Sequence, residues 1–498
     1  MIVLSNFGSL LASYQSICCV AIHDVYSRHS PNIASSSFMM TSVQDSVIFR
    51  NILSHPPTAQ IWSDRSRTKY YLDFEAALAR AQARLSIIPQ DAAKAIVNVC
   101  SDVDSLMDWD LLRDQTESIG YPVLGVVKQL TARVNEQSPE GEKWGEWSHW
   151  GATTQDLTDT ASVLQIRDTL AVIVTFLDRI IAALQSLSKK YRSTPVAGRS
   201  NLQQAVPISA GFKFARLLAT FLRHKDRLKE LRPRVLVLEF SGAAGTLATL
   251  SPDGSDDIGL QCQEELAKEL ELAAPDIAWH TERDRIAEFG FFCTLITGTC
   301  AKFALDLKLG MQTEVNEMRE PYAPHRGSSS TMPQKRNPIG SVYITATAAT
   351  VRQLSAAMSE SMVGDHERAT GPWEIEWIVL PQISTLTSAC LRHTAENLEG
   401  LEVDKDSMKK NLDISKGAIV SEAVMMGLGP TLGRQRAHDL VYDLCREASI
   451  SGRPLLELLD GSEDIVLPRD ELERLCSADN YLGLSAKMTD KVLALCRD

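Results

Sequence analysis

The chain has 498 residues, enough for two to four domains with sizeable hydrophobic cores. Hydrophobic residues make up 44% and charged residues 23%, which is the composition of an ordinary globular protein. The formal net charge of −12 argues against a broad nucleic-acid-binding surface, because phosphate binding requires a basic face. An anionic substrate fits this charge only if a local cationic pocket overcomes the field of the whole protein.

The first 45 residues stand apart and are expected to form a poorly ordered extension. The stretch 8–22 is mildly apolar, but no basic region precedes it, and the segment is Ser-rich and nearly free of acidic residues. A secretory signal or a mitochondrial presequence is therefore weakly supported, and translation from Met39 or Met40 is an equal alternative. We predict a cytoplasmic protein, with organellar targeting by residues 1–39 as the weaker alternative.

The ten cysteines are scattered, and no pair has the spacing of a metal site, so free thiols in a reducing compartment are expected. The histidines also lack ligand spacing, and neither GxGxxG nor a phosphate-binding loop is found. No metal and no nucleotide cofactor is therefore predicted. The best apolar run, Ile286 to Ala304, contains Glu288 and Lys302. It predicts a helix buried in a bundle and not a membrane span.

Helical patterns dominate from about residue 70. Residues 72–86, 204–230 and 339–362 are dense in helix formers. Seven apolar residues with alternating spacings of three and four predict a long bundle helix. These residues are Val163, Ile166, Leu170, Ile173, Leu177, Ile180 and Leu184. Alternating period-two runs are few, and no Asn-Gly or Asp-Gly turn lies between two of them, so the predicted fold class is all-α.

Three regions are predicted to follow the extension. They are an N-terminal helical domain (46–145), a central domain of long bundled helices (146–385) and a C-terminal helical domain (386–498). The third region contains two turn-rich breaks, at residues 451–454 and 467–468. The sequence contains no internal repeat.

The segment from Gly327 to Pro338, GSSSTMPQKRNP, lies between two helical runs and follows two prolines, so it is predicted to be a loop. Its serines offer hydroxyl groups for proton transfer. Lys335 and Asn337 offer an ammonium group and an amide for binding a carboxylate. Composition alone favours a plainer interpretation, a solvated Ser-rich linker with incidental basic residues.

Residues 329–338 resemble the signature loop of the fumarase/aspartase superfamily, SSxMPxKxNP. The resemblance implies that Ser329 is the catalytic base and that Lys335 and Asn337 bind the substrate. Ser328 stands where the family has a glycine, and Gly327 lies one residue earlier.

The stretch 148–161, SHWGATTQDLTDTA, has the capping residues of a helix N-terminus, which is also a ready anion site. It resembles the first signature of the same superfamily, in the form found in adenylosuccinate lyases and muconate cycloisomerases. The resemblance implies that His149, Thr153 and Thr154 lie near substrate carboxylates. It also implies that Gln155 and the aspartate after it hold the turn. A buried structural role for His149 is the alternative.

The stretch 194–211 departs from the family pattern. Many of these lyases have a Thr-His pair where this chain has Ser200 and Asn201, and a glutamate that pairs with that histidine where this chain has Val342. Both halves of the couple are absent together, which avoids stranding a buried charge. The resemblance places Ser200, Asn201 and Gln203 at the substrate, but asparagine cannot act as an acid near neutral pH.

Weaker resemblances to the 3-carboxy-cis,cis-muconate cycloisomerase branch extend over about residues 50–498. They lie at residues 61–89, 279–290, 312–321, 366–377 and 401–446. Arg283, Arg285 and Arg368 fall in these stretches and would by default be surface or ion-pair residues. Arg283, Arg326 and Arg336 are possible anion-binding residues.

The resemblance implies an all-α, three-domain lyase or cycloisomerase without a cofactor. It would act on a small polycarboxylate by proton transfer alpha to a carboxylate, most like 3-carboxy-cis,cis-muconate lactonisation. Ser329 would need a local positive field, which His325, Arg326, Lys335 and Arg336 are expected to supply. The alternatives are a C–N lyase that releases fumarate and a non-catalytic helical scaffold. The family also implies a homotetramer with shared active sites and no membrane or nucleic-acid partner.

Overall fold

The computed structural model describes Ser42 and residues 46–496. Nearly all of the predicted N-terminal extension therefore lies outside the described residues. The chain divides into two units, residues 1–52 and 53–498. In the first unit, a turn at residues 47–49 leads into the short helix α1 (Arg50–Leu53).

Short and medium-length helices form the beginning of the second unit. They are α2 (Pro56–Ile61), α3 (Asp64–Arg84), α4 (Gln90–Cys100), α5 (Val103–Leu106), α6 (Trp109–Ile119) and α7 (Val123–Glu136), followed by a 3₁₀ turn at Trp144–Trp147. Helix α3 begins where the Ser63 side chain accepts the backbone N–H of Ser66. It buries Tyr71, Leu72 and Phe74, as the predicted helix over residues 72–86 requires.

Long helices form the centre of this unit. They are α8 (Thr154–Lys190), α9 (Ala210–Val235), the shorter α10 (Ile258–Glu269), α11 (Asp284–Gly310), α12 (Ile339–Glu360) and α13 (Pro372–Glu399). Helices α8, α9, α11, α12 and α13 pack on one another as a bundle. All seven residues of the predicted seam, from Val163 to Leu184, are buried on α8. The all-α class and the long bundle helix are confirmed.

Helices α8 and α11 are long and apolar enough to cross a membrane, judged by length and composition alone. In this fold α8 packs against α3, α9 and α13, and α11 packs against α9, α12 and α13. Ile286, Phe289 and Ala304 of α11 are fully buried. The prediction of a buried bundle helix over Ile286 to Ala304 is therefore confirmed.

A β-hairpin precedes α9 and overlaps the start of the predicted helix over residues 204–230. Strand β1 (Pro195–Ser200) pairs antiparallel with β2 (Gln203–Ser209), so the predicted helix over 204–230 was wrong for its first six residues. Asn201 (φ +49°) and Leu202 (φ +63°) form the two-residue turn. Two successive left-handed residues suit a tight hairpin, but asparagine followed by leucine is not the usual sequence for such a turn.

The rest of the second unit is a set of shorter helices with a small core of its own, which includes Val424, Leu428, Leu455 and Leu472. The helices are α14 (Lys405–Leu412), α15 (Ser421–Leu432), α16 (Arg434–Ser451), α17 (Leu455–Asp460), α18 (Arg469–Leu475) and α19 (Ser485–Ala494). Two 3₁₀ turns (Ala418–Val420 and Ala478–Asn480) lie between them, and the short strands β3 (Met318–Arg319) and β4 (Glu402–Val403) pair antiparallel. Helix α19 returns to pack on α8 and α9.

The cysteines among the described residues are free thiols, as predicted, and five of them are buried. Burial raises the pKa of Cys293 to about 12, which leaves this thiol unreactive near neutral pH. Cys18 and Cys19 lie outside the described residues.

Candidate functional site

The predicted anion site at the start of α8 is a capped helix N-terminus. Thr153 is the N-cap residue, and its backbone N–H donates to the Asp156 carboxylate at 2.9 Å. Asp156 is buried and also accepts the backbone N–H groups of Ser241 and Gly242, at 3.1 and 3.0 Å. The first turn is thereby fixed against the segment after α9. The helix dipole and free N–H groups of this turn favour a bound anion.

His149 precedes this helix start and is held by Glu75 of α3. Its Nδ1 lies 2.6 Å from Glu75 Oε1, and its backbone N–H donates to Glu75 Oε2 at 2.9 Å. Burial opposes a charge on the imidazole, but the attraction of Glu75 outweighs it and raises the pKa of His149. The side chain is 18% exposed, and no hydrogen bond within the described residues engages its other ring nitrogen, Nε2. A cationic carboxylate-binding group fits this geometry better than a sealed structural histidine.

Arg368 adds a cation to the same place, although it was expected by default to be a surface or ion-pair residue. Its Nη1 donates to Thr153 Oγ1 at 3.1 Å and lies 3.4 Å from the Ala243 carbonyl oxygen. No carboxylate within the described part of the chain forms an ion pair with it. Residues 153 and 368 are 215 positions apart, so only the fold reveals this contact.

The loop Gly327–Pro338 is present as predicted and is closed at its base. Ser328 and Arg336 form an antiparallel bridge. Asn337 donates its backbone and side-chain N–H groups to the Gly327 carbonyl oxygen, at 2.8 and 2.9 Å. Gly327 has φ +73°, and a Cβ atom there would lie 2.3 Å from the Asn337 carbonyl oxygen. In this conformation Asn337 closes the loop with one side-chain N–H, and its second N–H and amide oxygen keep substrate binding as a prediction.

Ser329 lies just inside this closed base. Its Oγ accepts the backbone N–H of Met332 at 3.1 Å and that of Thr331 at 3.3 Å. Two N–H donors aimed at one hydroxyl oxygen stabilise an alkoxide more than the neutral hydroxyl. Lys335 is exposed at the far side of the loop, without an ion-pair partner among residues 46–496. The loop therefore offers a hydroxyl suited to proton exchange and one uncompensated cation.

Two arginines in and next to this loop, Arg336 and Arg326, lie near carboxylates that offset their positive charges. Arg326 Nη2 lies 3.8 Å from Glu320 Oε2, and Arg336 Nη2 lies 3.1 Å from Glu402 Oε1. Neighbouring carboxylates offset the charges of Arg326 and Arg336, and anion binding by these two residues stays a prediction. Of these cations, Lys335 remains for a substrate.

Glu320 anchors the end of the loop and was not identified from the sequence. Its buried carboxylate accepts the backbone N–H groups of Gly340 at 3.1 Å and Ser341 at 2.7 Å, in the first turn of α12. Asn397 of α13 donates to the same carboxylate at 3.3 Å. The loop therefore ends on a rigid helix start.

Arg283 was also a possible anion-binding residue, and this expectation was wrong. Its side chain is 1% exposed and lies between the carboxylates of Asp159, at 2.7 and 3.0 Å, and Glu376, at 2.9 and 2.5 Å. Burial opposes the charge, but the two carboxylates outweigh it and raise the pKa of Arg283. All three guanidinium nitrogens are engaged, so Arg283 ties α8, α11 and α13 together beneath the helix start.

Ser200, Asn201 and Gln203 lie at the exposed tip of the hairpin. The hairpin is fixed further back, where Arg199 pairs with the buried Glu317 at 2.6 Å. Within the described residues, no side-chain hydrogen bond engages the three tip residues. Their polar groups are available, but nothing in one chain directs them.

Residues 53–352 match the family described as “Lyase”, which is more than half of the 498 residues. The chain belongs to the fumarase/aspartase lyase superfamily. Residues 417–492 of this lyase match the family described as “Adenylosuccinate lyase C-terminus”.

Two relatives differ in the reaction that their names give. The lyase is 53% identical over 446 residues to trans-aconitate decarboxylase 1 of Mycosarcoma maydis, covering 89% of this chain and 88% of the relative. It is 40% identical over 458 residues to the 3-carboxy-cis,cis-muconate cycloisomerase of Pseudomonas aeruginosa, covering 91% and 97%. The crystal structure of the 3-carboxy-cis,cis-muconate lactonizing enzyme from Pseudomonas putida matches with a TM-score of 0.83 and 37% identity, covering 90% and 98%. The family is therefore fixed, but the specific reaction is not.

The three segments with predicted site residues have separate hydrogen-bond networks in a single chain of this lyase. Across residues 46–496, no hydrogen bond or ion pair joins the Gly327–Pro338 loop, the helix start at Thr154 and the hairpin tip at Asn201 to one another. Each segment nevertheless has its own rigid support, through Glu320, Asp156 and Glu317 respectively.

Proposed function

We propose that this lyase decarboxylates a small unsaturated tricarboxylate of the trans-aconitate type. The observation that carries the proposal is the 53% identity to trans-aconitate decarboxylase 1 over 89% of the chain. This proposal keeps the substrate class predicted from the sequence, a small polycarboxylate that exchanges a proton alpha to a carboxylate. It changes the preferred reaction from lactonisation to loss of carbon dioxide.

The chemistry of such a substrate explains what the site must supply. In trans-aconitate, a CH₂–carboxylate group is attached to a carbon–carbon double bond conjugated to a second carboxylate. When the CH₂–CO₂ bond breaks, its electron pair forms a new double bond and the old double bond shifts towards the second carboxylate. The intermediate carries two negative charges on that carboxylate group. Protonation at its alpha carbon completes the reaction, so one proton enters for each carbon dioxide that leaves.

The described side chains suit these steps. The start of α8, His149 and Arg368 offer N–H groups and positive charge to substrate carboxylates. Ser329 supplies the proton to the alpha carbon, and the N–H groups of Thr331 and Met332 stabilise the alkoxide left behind. No general acid is needed for a departing amine or water, which agrees with an asparagine at position 201.

We also propose that the complete site forms in a homotetramer, as the family resemblance implies. No hydrogen bond or ion pair joins the three segments within one described chain, and in the tetramer neighbouring chains would bring them together. Exposed apolar residues on the bundle support this assembly. Phe291, Leu295 and Leu305 of α11 are 43%, 50% and 52% exposed on one face of that helix.

Lactonisation of 3-carboxy-cis,cis-muconate is the second candidate. It is favoured by 40% identity to the cycloisomerase over 91% of the chain. The substrate's own carboxylate would add to the double bond, and Ser329 would again protonate the carbon alpha to a carboxylate. The two candidates therefore share Ser329 and differ in the bond that the substrate breaks or forms.

A substrate panel separates these reactions. The purified full-length protein is given trans-aconitate, 3-carboxy-cis,cis-muconate and succinylated amines, and the products are identified by mass spectrometry. We expect release of carbon dioxide from trans-aconitate, with a kcat/KM at least tenfold above that for the other compounds. Loss of muconate absorbance without release of carbon dioxide would favour lactonisation. Formation of fumarate would favour the C–N lyase alternative.

A further inference from the structure

Behind the start of α8 lies a cluster of three ionisable side chains from three elements, the Asp156–Glu239–His280 cluster. Asp156 is in the first turn of α8, Glu239 follows α9, and His280 precedes α11. All three are buried, with exposed fractions of 0%, 0% and 2%. His280 Nε2 lies 2.8 Å from Asp156 Oδ1 and 3.4 Å from Glu239 Oε1. The proposed reaction gives Glu239 and His280 no part.

Asp156 connects this cluster to the carboxylate-binding groups. Besides His280, it accepts the backbone N–H groups of Thr153, Ser241 and Gly242. Arg368 in turn contacts Thr153 Oγ1 and the carbonyl oxygen of the residue after Gly242. The placement of the helix start and of Arg368 therefore depends on Asp156, and His280 holds Asp156 from behind.

With Glu239, the cluster has two carboxyl groups for one imidazole. Its Oε2 accepts the backbone N–H of Trp279 at 2.7 Å, but its Oε1 is buried without a hydrogen-bond donor among the described residues and faces His280. Burial raises the pKa of Glu239 to about 7. Burial opposes protonation of His280, but Asp156 and Glu239 outweigh it and raise the pKa of His280. Near neutral pH, the cluster therefore retains a proton that it loses in alkali.

Other charged groups face the cluster from every side. Asp159 of α8 raises the pKa of His280. Asp159 itself forms an ion pair with Arg283, which also pairs with Glu376 of α13. On the opposite side, His149 is bound to Glu75 of α3 and is also attracted by Asp156. The pKa of His149 is also raised, so any measurement has to separate its titration from that of Glu239.

A metal ion is the other possible occupant, because the ligand-type atoms of the three residues lie within 4.8 Å of one another. However, four N–H groups already point at the Asp156 carboxylate. The 2.8 Å separation of His280 Nε2 and Asp156 Oδ1 is a hydrogen-bond distance, so a proton held between them accounts for the arrangement.

We propose that Glu239 and His280 are positioning residues that keep one proton behind Asp156, and that this proton sets how tightly the helix start and Arg368 hold a substrate carboxylate. The inference rests on the proposed binding of a polycarboxylate at this helix start. Loss of the proton adds a negative charge behind an anion site in a poorly screened interior. It therefore weakens polycarboxylate binding, by roughly tenfold for a charge of this kind.

The test uses tricarballylate, a saturated tricarboxylate that has no double bond to shift. Its dissociation constant is measured by calorimetry from about pH 6 to about pH 9. For the full-length wild type, we expect roughly tenfold weaker binding across this range. Glu239→Gln places a neutral amide where the protonated acid stood, so its dissociation constant should rise less than that of the wild type, through the remaining titration of His149 and His280. Glu269→Gln removes a carboxylate remote from the cluster and should follow the wild type.

The same rise in Glu239→Gln as in the wild type would overturn the proposal. So would a stoichiometric divalent metal ion that is found by mass spectrometry and lost in His280→Gln.

If Glu239→Gln does not fold, calorimetry of the wild type in buffers of different ionisation enthalpy tests the proposal instead. Binding at about pH 7.5 should take up a fraction of a proton even in Glu75→Gln, and no uptake would overturn the proposal. Turnover of trans-aconitate with pH-independent binding would refute only this inference. Proton-linked binding without any decarboxylation would refute only the proposed reaction.

Discussion

Replacing Gly327 with alanine tests whether the closed base of the loop is needed for turnover. The new Cβ atom would lie 2.3 Å from the Asn337 carbonyl oxygen, far inside van der Waals contact, at a residue with φ +73°. Left-handed backbone costs alanine about 1 kcal/mol. To relieve this contact, the two sides of the loop base have to separate. This breaks the 2.8 Å hydrogen bond from Asn337 N–H and the bridge between Ser328 and Arg336, each worth about 1 kcal/mol. The closed loop therefore loses about 3 kcal/mol, or roughly 100-fold in population.

We expect kcat/KM of Gly327→Ala to fall by roughly 100-fold with little change in Tm, because the loop lies at the surface. Gly254→Ala is a matched control. Its glycine also has positive φ (+65°), but no atom lies within 4 Å of the added Cβ atom. Steady-state kinetics and thermal unfolding are measured on both variants. Activity of Gly327→Ala within about twofold of the control would refute the reasoning that the closed base positions Ser329.

Three further predictions concern the carboxylate-binding groups and the buried acid. In Glu75→Gln, His149 loses the partner that raises its pKa, so KM for the tricarboxylate should rise roughly tenfold at about pH 7.5 and less at about pH 6. An unchanged KM at both pH values would contradict a cationic role for His149. Arg368→Met should raise KM by roughly tenfold or more, with a smaller change in kcat. The control Arg285→Met removes a donor to the Arg234 carbonyl oxygen and should leave KM unchanged. Equal effects of the two substitutions would remove Arg368 from the site. The pKa of Glu239 is raised from 4.5 to about 7, so its stabilising contribution is present below about pH 4.5 and is lost as pH rises through 7, at a cost of about 3 kcal/mol. The Tm of the wild type should therefore fall relative to that of Glu239→Gln between about pH 5 and about pH 8, and parallel curves would count against a buried acid.

The parts of the fold that sequence periodicity could predict are those where one signal repeats over many turns. The apolar seam from Val163 to Leu184 defined α8 because every third or fourth residue had to be buried. The hairpin before α9 had no such signal. Its strands are short, and Asn201 and Leu202 adopt left-handed backbone that leucine rarely takes.

The residues of the candidate site also differ in whether the sequence could identify them. Ser329, Thr153 and His149 could be identified because each lies within a contiguous motif of the chain. Arg368 and Glu75 could not, because their contacts with Thr153 and His149 depend on helices that are distant in sequence. The partners of the arginines could not be predicted for a related reason. Positive charge is visible in a sequence, but the carboxylates that compensate Arg283, Arg326 and Arg336 become neighbours only in the fold.

The role of Ser329 as the proton donor is measured by the decarboxylation of trans-aconitate in D₂O. For the wild type, we expect one carbon dioxide and one deuterium per product molecule, with the deuterium on the carbon alpha to the carboxylate that stabilised the intermediate. Ser329→Ala should bind tricarballylate as the wild type does and give neither product nor label, while the adjacent Ser330→Ala should behave as the wild type. Labelled product from Ser329→Ala at the wild-type rate would rule out Ser329 as the proton donor.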